Sequence, residues 1–344
     1  MRRALKAARP FLPIILAVAL LVGLSFRVHP ADVWSELRKA DLYWIPALLL
    51  ANLASDFFRA VRWQQMLPEE RRPPVYLLFF SAHIGSAVNF LIPLRAGEAI
   101  RLRIVSQRTG VKPAGLVAVM LSEILSDLLT FSLYIAIGLA LMSEATFLWP
   151  VGVLVAVVAV SALAGAITLA KRGESWTGPP TGKGKRNWLG KQLYNFATGL
   201  APLRRPERFA ILVATAQVMW MCETLMFYMS GQALGIDLSF PAYMLLVVTA
   251  NVAGSIPITQ AGFGVFEVGV VGVMKALGVP ELQAATYAIF VHVLLTAPHI
   301  IYGPVAALIL RVRLSDILIF KSTEEDGNDK PPQMVPATTT ADSG

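Results

Sequence analysis

Two carboxylates stand inside one of the longest apolar stretches of this sequence. Glu123 and Asp127 are four residues apart within Ala114–Met142, and this spacing places both side chains on one face of a helix. Two carboxylates so close do not both stay charged without a nearby cation, so either they share a proton or an arginine lies beside them. The pair therefore predicts either a functional site or a buried cluster that ties helices together.

A second group of residues suited to chemistry lies just before this stretch. It combines a carboxamide, a proline, two arginines, a glycine and a carboxylate: Asn89, Pro93, Arg95, Gly97, Glu98 and Arg101. Proline interrupts helical hydrogen bonding and glycine permits positive φ, so we expect the chain to turn near Gly97. The arginines offer planar forked donors that suit phosphate. The alternative is a plain cationic flank of an apolar segment.

A glycine-rich stretch later in the chain holds a third group, formed by Gln260, Gly262, Gly264 and Glu267. Nothing before it reads as the strand of a βαβ unit, so it is not predicted to be a nucleotide-binding loop. We expect its glycines to expose backbone N–H groups at the start of a helix, where anions bind. Close helix packing through glycine is the alternative.

The other ionisable residues in apolar stretches carry weaker signals. Glu223 is alone in its stretch, and we expect it to pair with an arginine of the 89–101 group. His292 and His299 share one helix face, which is typical of hydrogen-bonded packing, and Asp56 is expected to meet water or a nearby arginine. The sequence shows no metal-ligand spacing and no nucleophile or triad motif. It therefore predicts no catalytic residue, no metal and no cofactor.

The composition identifies the surroundings of these residues. Of 344 residues, 56% are hydrophobic and only 15% are charged, whereas soluble domains carry about 25% charged residues. Runs of about 20 apolar residues cross a membrane as helices that satisfy their own backbone. The net charge of +8 is spread between the apolar runs, which disfavours nucleic-acid binding. The single cysteine excludes an intrachain disulfide. The sequence predicts an all-α polytopic membrane protein.

Six apolar runs are long enough to be predicted as complete spans: Phe11–Phe26, Leu42–Phe58, Ala114–Met142, Phe147–Ala170, Phe209–Gly231 and Ala284–Leu310. The first run follows a basic start, as in a signal peptide, but no small-residue cleavage site follows it, so we expect a retained helix. Two further apolar segments, Val75–Leu94 and Phe240–Met274, are interrupted by proline, glycine and asparagine. Broken helices are tolerated at membrane depth where protein or water satisfies the freed backbone.

The distribution of basic residues indicates how the two broken segments are oriented. If each returns to the side that it entered from, only four of the 30 Lys and Arg residues lie outside: Arg27, Arg38, Lys39 and Lys275. A single crossing by Val75–Leu94 would put the basic loops 95–113 and 171–208 opposite the N-terminus. Because basic residues concentrate on the cytoplasmic side, the sequence predicts two oppositely oriented re-entrant hairpins, cytoplasmic termini and location in the inner cell membrane.

This predicted topology has an internal symmetry. Halves at about residues 10–142 and 147–312 would be inverted relative to each other, each with one broken hairpin, as in many secondary transporters. The basic cytoplasmic loop 171–208 lies within the second half. Residues 313–344 have few apolar side chains and are predicted to form a disordered cytoplasmic tail, which leaves 1–312 as the membrane domain.

At these motifs the sequence resembles the lysylphosphatidylglycerol synthase transmembrane region, a flippase-like family, over roughly residues 10 to 312. The resemblance rests on three motifs: Asn89…Pro93-x-Arg95-x-Gly97-Glu98-x2-Arg101, Glu123-x3-Asp127 and Pro257…Gly262-x-Gly264-x2-Glu267. Ile124 and Ala261 depart from the family pattern, which often has an arginine and a glycine there. The arginine would have been a local partner for Glu123.

The resemblance implies that the protein moves a lipid, or a lipid-linked headgroup, between leaflets. Members fused to a cytoplasmic aminoacyl-transferase domain also make the aminoacylated lipid; this chain ends in a short tail, so we expect no enzyme. We expect Arg95 and Arg101 to receive an anionic or zwitterionic headgroup. A coupling proton or a cationic group would bind the carboxylates Glu98, Glu123, Asp127 and Glu267. The alternatives are a non-transporting scaffold of a lipid- or envelope-synthesis complex and an intramembrane lipid-modifying enzyme.

Overall fold

The computed structural model describes residues 12–92, 96–177, 185–256 and 259–312, and within these ranges it contains twelve α-helices and no β-strand. The helices are α1 (Leu12–Ser25), α2 (Pro30–Leu37), α3 (Ile45–Met66), α4 (Val75–Leu91), α5 (Ala96–Thr109), α6 (Pro113–Leu141), α7 (Trp149–Thr177), α8 (Lys185–Gly199), α9 (Pro206–Ala233), α10 (Phe240–Ser255), α11 (Val265–Ala276) and α12 (Glu281–Ile309). The tail predicted at 313–344 lies outside the described residues, and the division into domains stays a prediction.

Five helical segments of the described chain are long and apolar enough to cross a membrane: Leu42–Met66, Pro113–Leu141, Thr146–Lys171, Pro206–Ala233 and Glu281–Ile309. These correspond to five of the six predicted spans. The remaining one is bent, because α1 and α2 meet at 81°, and it counts as a sixth span only if the two helices cross together. The prediction of an all-α polytopic membrane fold is confirmed.

Helix α3 continues well beyond the predicted end of its span at Phe58. It runs on to Met66 and carries Arg59, Arg62 and Trp63 in its last turns. The predicted span stopped just before Arg59, so Arg59 and Arg62 were both expected in a cytoplasmic loop. That interpretation was wrong for Arg62, whose side chain is only 1% exposed. No proline or glycine interrupts this helix before Pro68, so the backbone has no reason to stop at Arg59.

The first predicted broken segment, Val75–Leu94, contains one uninterrupted helix, α4, so the interruption expected at Gly85 and Asn89 is wrong. Helix α5, which follows this segment, packs against α4, and we call the two helices the first hairpin (residues 75–109). Gly85 and Gly97 lie at their contact: a Cβ on Gly85 would approach the carbonyl oxygen of Gly97 to 2.8 Å. Gly97 has helical geometry within α5, so the positive φ expected at this glycine is wrong, although the chain does turn between α4 and α5. Its function in the fold is close helix packing, for which a missing side chain is required.

The second broken segment forms two packed helices, α10 and α11, here called the second hairpin (residues 240–276). The link before α11 has positive φ at Ala261, Gly262 and Gly264, with values of 51°, 82° and 84°. Glycine adopts this geometry without steric cost, which explains two of the three positions. A Cβ on Gly262 would lie 3.2 Å from Cα of Gly254, so the link also packs tightly on α10.

The tips of the two hairpins lie against each other. The rings of Phe90, at the end of α4, and Phe263, before α11, have centroids 6.1 Å apart in an edge-to-face arrangement. Helix α12 packs along the first hairpin, where Gly303 leaves room for Ala87. Meeting of the tips agrees with the architecture expected of inverted halves. The inverted repeat and the re-entry of each hairpin stay predictions.

Labelling with an impermeant thiol reagent tests the membrane topology. In a Cys222→Ser background, single cysteines would replace Lys112 before α6, Ser143 after α6, and Pro280 before α12. We expect labelling from outside at positions 143 and 280 only, because re-entrant hairpins keep position 112 on the cytoplasmic side. Labelling of position 112 from outside would rule out this topology.

Two apolar clusters form the core and meet at α6. One includes Trp63 of α3 with neighbours from α4, α6 and α9. The other includes Phe131 of α6, Trp220 of α9 and the central residues of α10 and α12. Helix α6 contributes to both clusters, and Glu123 and Asp127 lie on its stretch between them. The fold thus places the carboxylate pair at the centre of the helical assembly.

Candidate functional site

A cavity of about 510 Å³ opens between the two hairpins. Helices α3, α6, α9 and α12 complete its wall. Ligand-binding pockets in proteins typically have volumes of about 300–1,000 Å³. The polar and charged lining residues are Arg59, Ser86, Asn89, Glu98, Arg101, Glu123, Asp127, Asn251, Ser255, Thr259, His292, Thr296 and His299. The structure therefore brings together residues from all three groups identified in the sequence.

Arg62 joins the two carboxylates of α6. Its Nη2 donates to Oε1 of Glu123 at 2.8 Å and its Nη1 donates to Oδ1 of Asp127 at 2.5 Å. The same Nη1 also lies 3.1 Å from Oγ of Ser126. This forked contact is the strong form of ion pair, since one planar guanidinium makes several charge-assisted hydrogen bonds.

Two tryptophans complete the hydrogen bonding of the carboxylate pair. The indole Nε1 of Trp63 donates to Glu123 at 2.6 Å, and that of Trp220 donates to Asp127 at 2.8 Å. Indole is a donor only, so each ring stabilises the charged form of the carboxylate. Of the two alternatives that the sequence left open, the structure favours the nearby arginine over a shared proton.

Sequence reasoning missed the partners of the pair, although a signal was present. Arg59, Arg62 and Trp63 follow the i, i+3, i+4 spacing of one helix face. A polar face at the end of an apolar run, opposite a helix that carries Glu123 and Asp127, indicates charge pairing between spans. The separation of 61 residues between Arg62 and Glu123 hides the pairing from any local pattern.

Two further arginines face the cavity with free donor capacity. Arg101 of α5 lies 3.7 Å from Glu98 and 3.8 Å from Glu123, and its guanidinium lies 3.8 Å from the ring centre of Trp63. Arg59 approaches Glu123 only to 4.0 Å. Among the described residues, Nε of both arginines is buried without a hydrogen-bond partner. The guanidinium groups of these two arginines are the arginine donors that line the cavity.

The other predicted residues of the first hairpin have different positions. Asn89 accepts a hydrogen bond from the backbone N–H of Gly97 at 2.7 Å, so it holds the two helices of the hairpin together. Glu98 lines the cavity, and its Oε2 has no hydrogen-bond partner among the described residues. Arg95 lies outside the described residues, as does Pro93.

The start of α11 is closed by the protein's own carboxylate. Glu267 accepts a hydrogen bond from the backbone N–H of Gly264 at 2.7 Å and contacts Nδ1 of His292, also at 2.7 Å. The expectation that this helix start binds an external anion is therefore wrong, because an N3 glutamate reaches back to the N-cap as in a capping box. Gly262 lines the cavity, and the side chain of Gln260 lies outside the described residues.

Glu223 has a different partner from the one expected. Its Oε1 accepts a hydrogen bond from Nδ2 of Asn251 at 2.7 Å, across from α9 to the second hairpin. No ion pair with an arginine of the first hairpin is present in the described part of the chain. The expected pairing is not found with the described arginines of the first hairpin, and α10 rather than α5 faces this position of α9.

A second cavity, of about 540 Å³, lies beyond the end of α3 and contains none of the predicted site residues. Its charged lining comes from residues near helix ends, including Glu69, Arg71, Lys112, Arg205 and Arg208. Solvated charges at helix ends are the usual flanks of membrane spans. The cavity between the hairpins is the stronger candidate, because its charges are buried or half-buried and therefore need a reason.

Comparison with known proteins agrees with this architecture. The family model described as the lysylphosphatidylglycerol synthase TM region matches residues 14–303. A UPF0104 membrane protein of Methanothermobacter thermautotrophicus is 25% identical over 303 residues, which covers 80% of this chain and 85% of that protein. The matched range contains the whole wall of the cavity. The chain is a multi-pass membrane protein that belongs to the lysylphosphatidylglycerol synthase TM region family.

Proposed function

We propose that the protein moves a phospholipid, or a lipid-linked headgroup, between membrane leaflets. The observation that carries this proposal is the cavity between the hairpins, where the buried Arg101 and the half-buried Arg59 lie next to a wide apolar wall. A charged group within a membrane span costs about 2.5–3.5 kcal/mol on insertion scales, so a cluster of charged groups there is retained for a reason. Six side chains form this cluster: Arg59, Arg62, Arg101, Glu98, Glu123 and Asp127. Arg62, Glu123 and Asp127 pair with one another and have a structural role. Arg59, Arg101 and Glu98 are the members that we propose bind a ligand.

The distribution of charge in the cavity fits a phospholipid headgroup. Arg59 and Arg101 supply donors for a phosphate. Glu98, with an unused acceptor oxygen, supplies an acceptor for an amine. Three arginines and three carboxylates balance each other in this cluster, so a zwitterionic or singly charged headgroup enters without large net repulsion.

The apolar part of the wall fits acyl chains. It comes mainly from α6 and the second hairpin and includes Met120, Ile124, Leu128, Phe131, Val252 and Ile256. Ile124 is 51% exposed and Val252 is 44% exposed, as expected for side chains that face lipid rather than a packed core. A cavity polar on one side and open to apolar surface on the other suits an amphipathic substrate.

We also propose a location and a partner for the protein. The protein would lie in the inner cell membrane with cytoplasmic termini and would receive its lipid from the enzymes that synthesise it. Transport rather than catalysis is proposed, and the lipid is the proposed partner. The scaffold alternative is supported by the complete hydrogen bonding of Glu123 and Asp127 through Arg62, which a purely structural cluster also explains.

Leaflet exchange in reconstituted vesicles separates transport from scaffolding. Phosphatidylglycerol and phosphatidylcholine with fluorescent acyl chains would serve as anionic and zwitterionic probes, and an impermeant reductant would quench only the outer leaflet. We expect the wild-type protein to make the inner-leaflet pool of at least one probe accessible well above the rate in protein-free vesicles. Equal rates with and without protein, for both probes and with a membrane potential or pH gradient applied, would support the scaffold.

A further inference from the structure

Three side chains capable of binding a metal converge beside the cavity. They are Asp56 of α3, His83 of α4 and His299 of α12, and their ligand atoms all lie within 4.8 Å of one another. Oδ2 of Asp56 is 3.5 Å from Nε2 of His83 and 4.0 Å from Nδ1 of His299. No metal site was predicted from the sequence, because these residues come from three separate helices and show no local ligand spacing.

The ring of His83 is oriented as a metal-binding histidine. Its Nδ1 lies 2.9 Å from the carbonyl oxygen of Phe79. A carbonyl oxygen only accepts, so Nδ1 carries the proton and donates it. In a neutral ring, Nε2 is then the unprotonated nitrogen, and its lone pair faces Asp56. Histidines that bind metals typically donate their other ring N–H to a carbonyl or carboxylate in this way.

This lone pair has no partner in the described part of the chain. Nε2 of His83, Oδ2 of Asp56 and Nδ1 of His299 are all buried without a hydrogen bond there. The His83 side chain is only 1% exposed. A buried nitrogen lone pair that faces a carboxylate oxygen is unfavourable unless a cation or a proton lies between them. A cation or a proton between these atoms would therefore stabilise the arrangement.

We propose that Asp56, His83 and His299 bind a divalent transition metal of the Zn²⁺ class. Two imidazoles and one carboxylate are the ligands that such metals prefer, whereas Mg²⁺ and Ca²⁺ favour oxygen ligands alone. Ligands about 2.0–2.1 Å from a tetrahedral Zn²⁺ lie about 3.4 Å apart, so the observed separations need only a modest contraction. Three protein ligands leave a fourth position for water or another ligand, and one of the three, His299, also lines the cavity.

The neighbouring groups allow a cation at this position. Arg59 is the nearest guanidinium on α3; its Nε lies 4.0 Å from Glu123, and its charge interacts with Glu123 more strongly than with Asp56. On the other sides are aromatic rings: Phe79 and Tyr302 have centroids 4.3 Å and 5.4 Å from that of His83. Bound metal would connect the first hairpin to α3 and α12 and so fix one wall of the cavity. The competing account is an Asp–His pair that holds a shared proton.

Metal content of the purified protein tests this site without reference to transport. The full chain would be purified in detergent without a polyhistidine tag, incubated with excess Zn²⁺, desalted and analysed for metal per chain. We expect about one Zn²⁺ per wild-type chain, because three ligands form one site. His299→Gln and Asp56→Asn should each weaken Zn²⁺ binding by at least the roughly 10- to 100-fold seen when an outer-shell partner is lost.

The chain offers matched controls, since it has four histidines. His29 lies at the start of α2, and His292 is a buried histidine of α12 that contacts Glu267 and the carbonyl of Ala261. His29→Gln and His292→Gln should retain Zn²⁺. Zn²⁺ should also raise the unfolding temperature of the wild type, but not of His299→Gln.

Two results would overturn the proposal. The first is wild-type protein with no Zn²⁺ above the level of a metal-free blank, which decides the question even if a variant fails to fold. The second is equal Zn²⁺ content in the ligand variants and the histidine controls, which would identify surface binding. Loading with Co²⁺ provides a spectroscopic check, because a site of this geometry should give the absorption of tetrahedral Co²⁺ in the wild type and lose it in His299→Gln.

Discussion

Replacement of Arg62 with methionine is expected to lower the free energy of unfolding by about 3–5 kcal/mol, the usual cost of removing one partner of a buried ion pair. Arg62 is 1% exposed and is the shared donor to Glu123 and Asp127. Without it, two half-buried carboxylates remain with only the tryptophans and more distant arginines to stabilise them. Reversible unfolding in detergent, followed by circular dichroism, measures the effect.

A matched surface pair and a compensating variant serve as controls. Arg27 is 70% exposed and lies 3.7 Å from Glu281, so Arg27→Ala should leave the unfolding midpoint nearly unchanged. The triple variant Arg62→Met, Glu123→Gln, Asp127→Asn should recover a large part of the lost stability, because no unpaired charge remains. If Arg62→Met unfolds like the wild type, the ion pair is not an essential part of the helical assembly.

Replacement of Arg101 with alanine is expected to reduce lipid exchange roughly 10- to 100-fold, which corresponds to the loss of about 1.5–3 kcal/mol for a hydrogen bond to a charged group. Arg101→Lys should recover only part of the rate. A lysine keeps the charge but lacks the planar fork and the stacking on Trp63. Rates would be measured in vesicles with equal amounts of folded protein.

The chain contains a second arginine–tryptophan pair that provides the control. Arg38 lies over the ring of Trp34 at 5.5 Å, on an exposed surface away from the cavity. Arg38→Ala should exchange lipid at the wild-type rate. If Arg101→Ala also does so, Arg101 is a structural partner of Glu123 and Trp63, and the headgroup must bind elsewhere.

The sequence predicted most of the helices, because the thickness of a membrane constrains them strongly. Helices α6 and α12 agree with their predicted spans to within a few residues, since an apolar run of fixed length has few other solutions. Glycine correctly indicated the break between α10 and α11, but Gly85 lies inside the uninterrupted helix α4. The opposite orientation of the two hairpins in the membrane rests on charge counting alone.

The charge network was less predictable because its contacts join distant parts of the chain. The prediction of an arginine near Glu123 was one of two alternatives, and neither Arg59 nor Arg62 was identified as its source. The predicted span ended before Arg59, the first arginine of α3, although a helix end with one polar face can continue into a protein interior. Only the packing of α3 on α6 shows which arginines are buried.

The second hairpin shows a different limit of sequence reasoning. The glycines before α11 correctly indicated a chain reversal followed by a helix start, but the side chain that fills this helix start is Glu267, three residues along. The capping-box spacing was present in the sequence and was interpreted as a proton or cation site instead. The convergence of Asp56, His83 and His299 had no local signal at all, because each lies on a different helix.

The most direct test of the central claim is a chemical block of the cavity during lipid exchange. In a Cys222→Ser background, Thr296→Cys places one thiol in the cavity wall, and Val160→Cys places one on the exposed face of α7. Each protein would be labelled with a bulky maleimide and reconstituted. We expect labelled Thr296→Cys to exchange lipid no faster than protein-free vesicles, while labelled Val160→Cys keeps its full rate. Unchanged exchange by fully labelled Thr296→Cys would contradict a lipid path through the cavity between the hairpins.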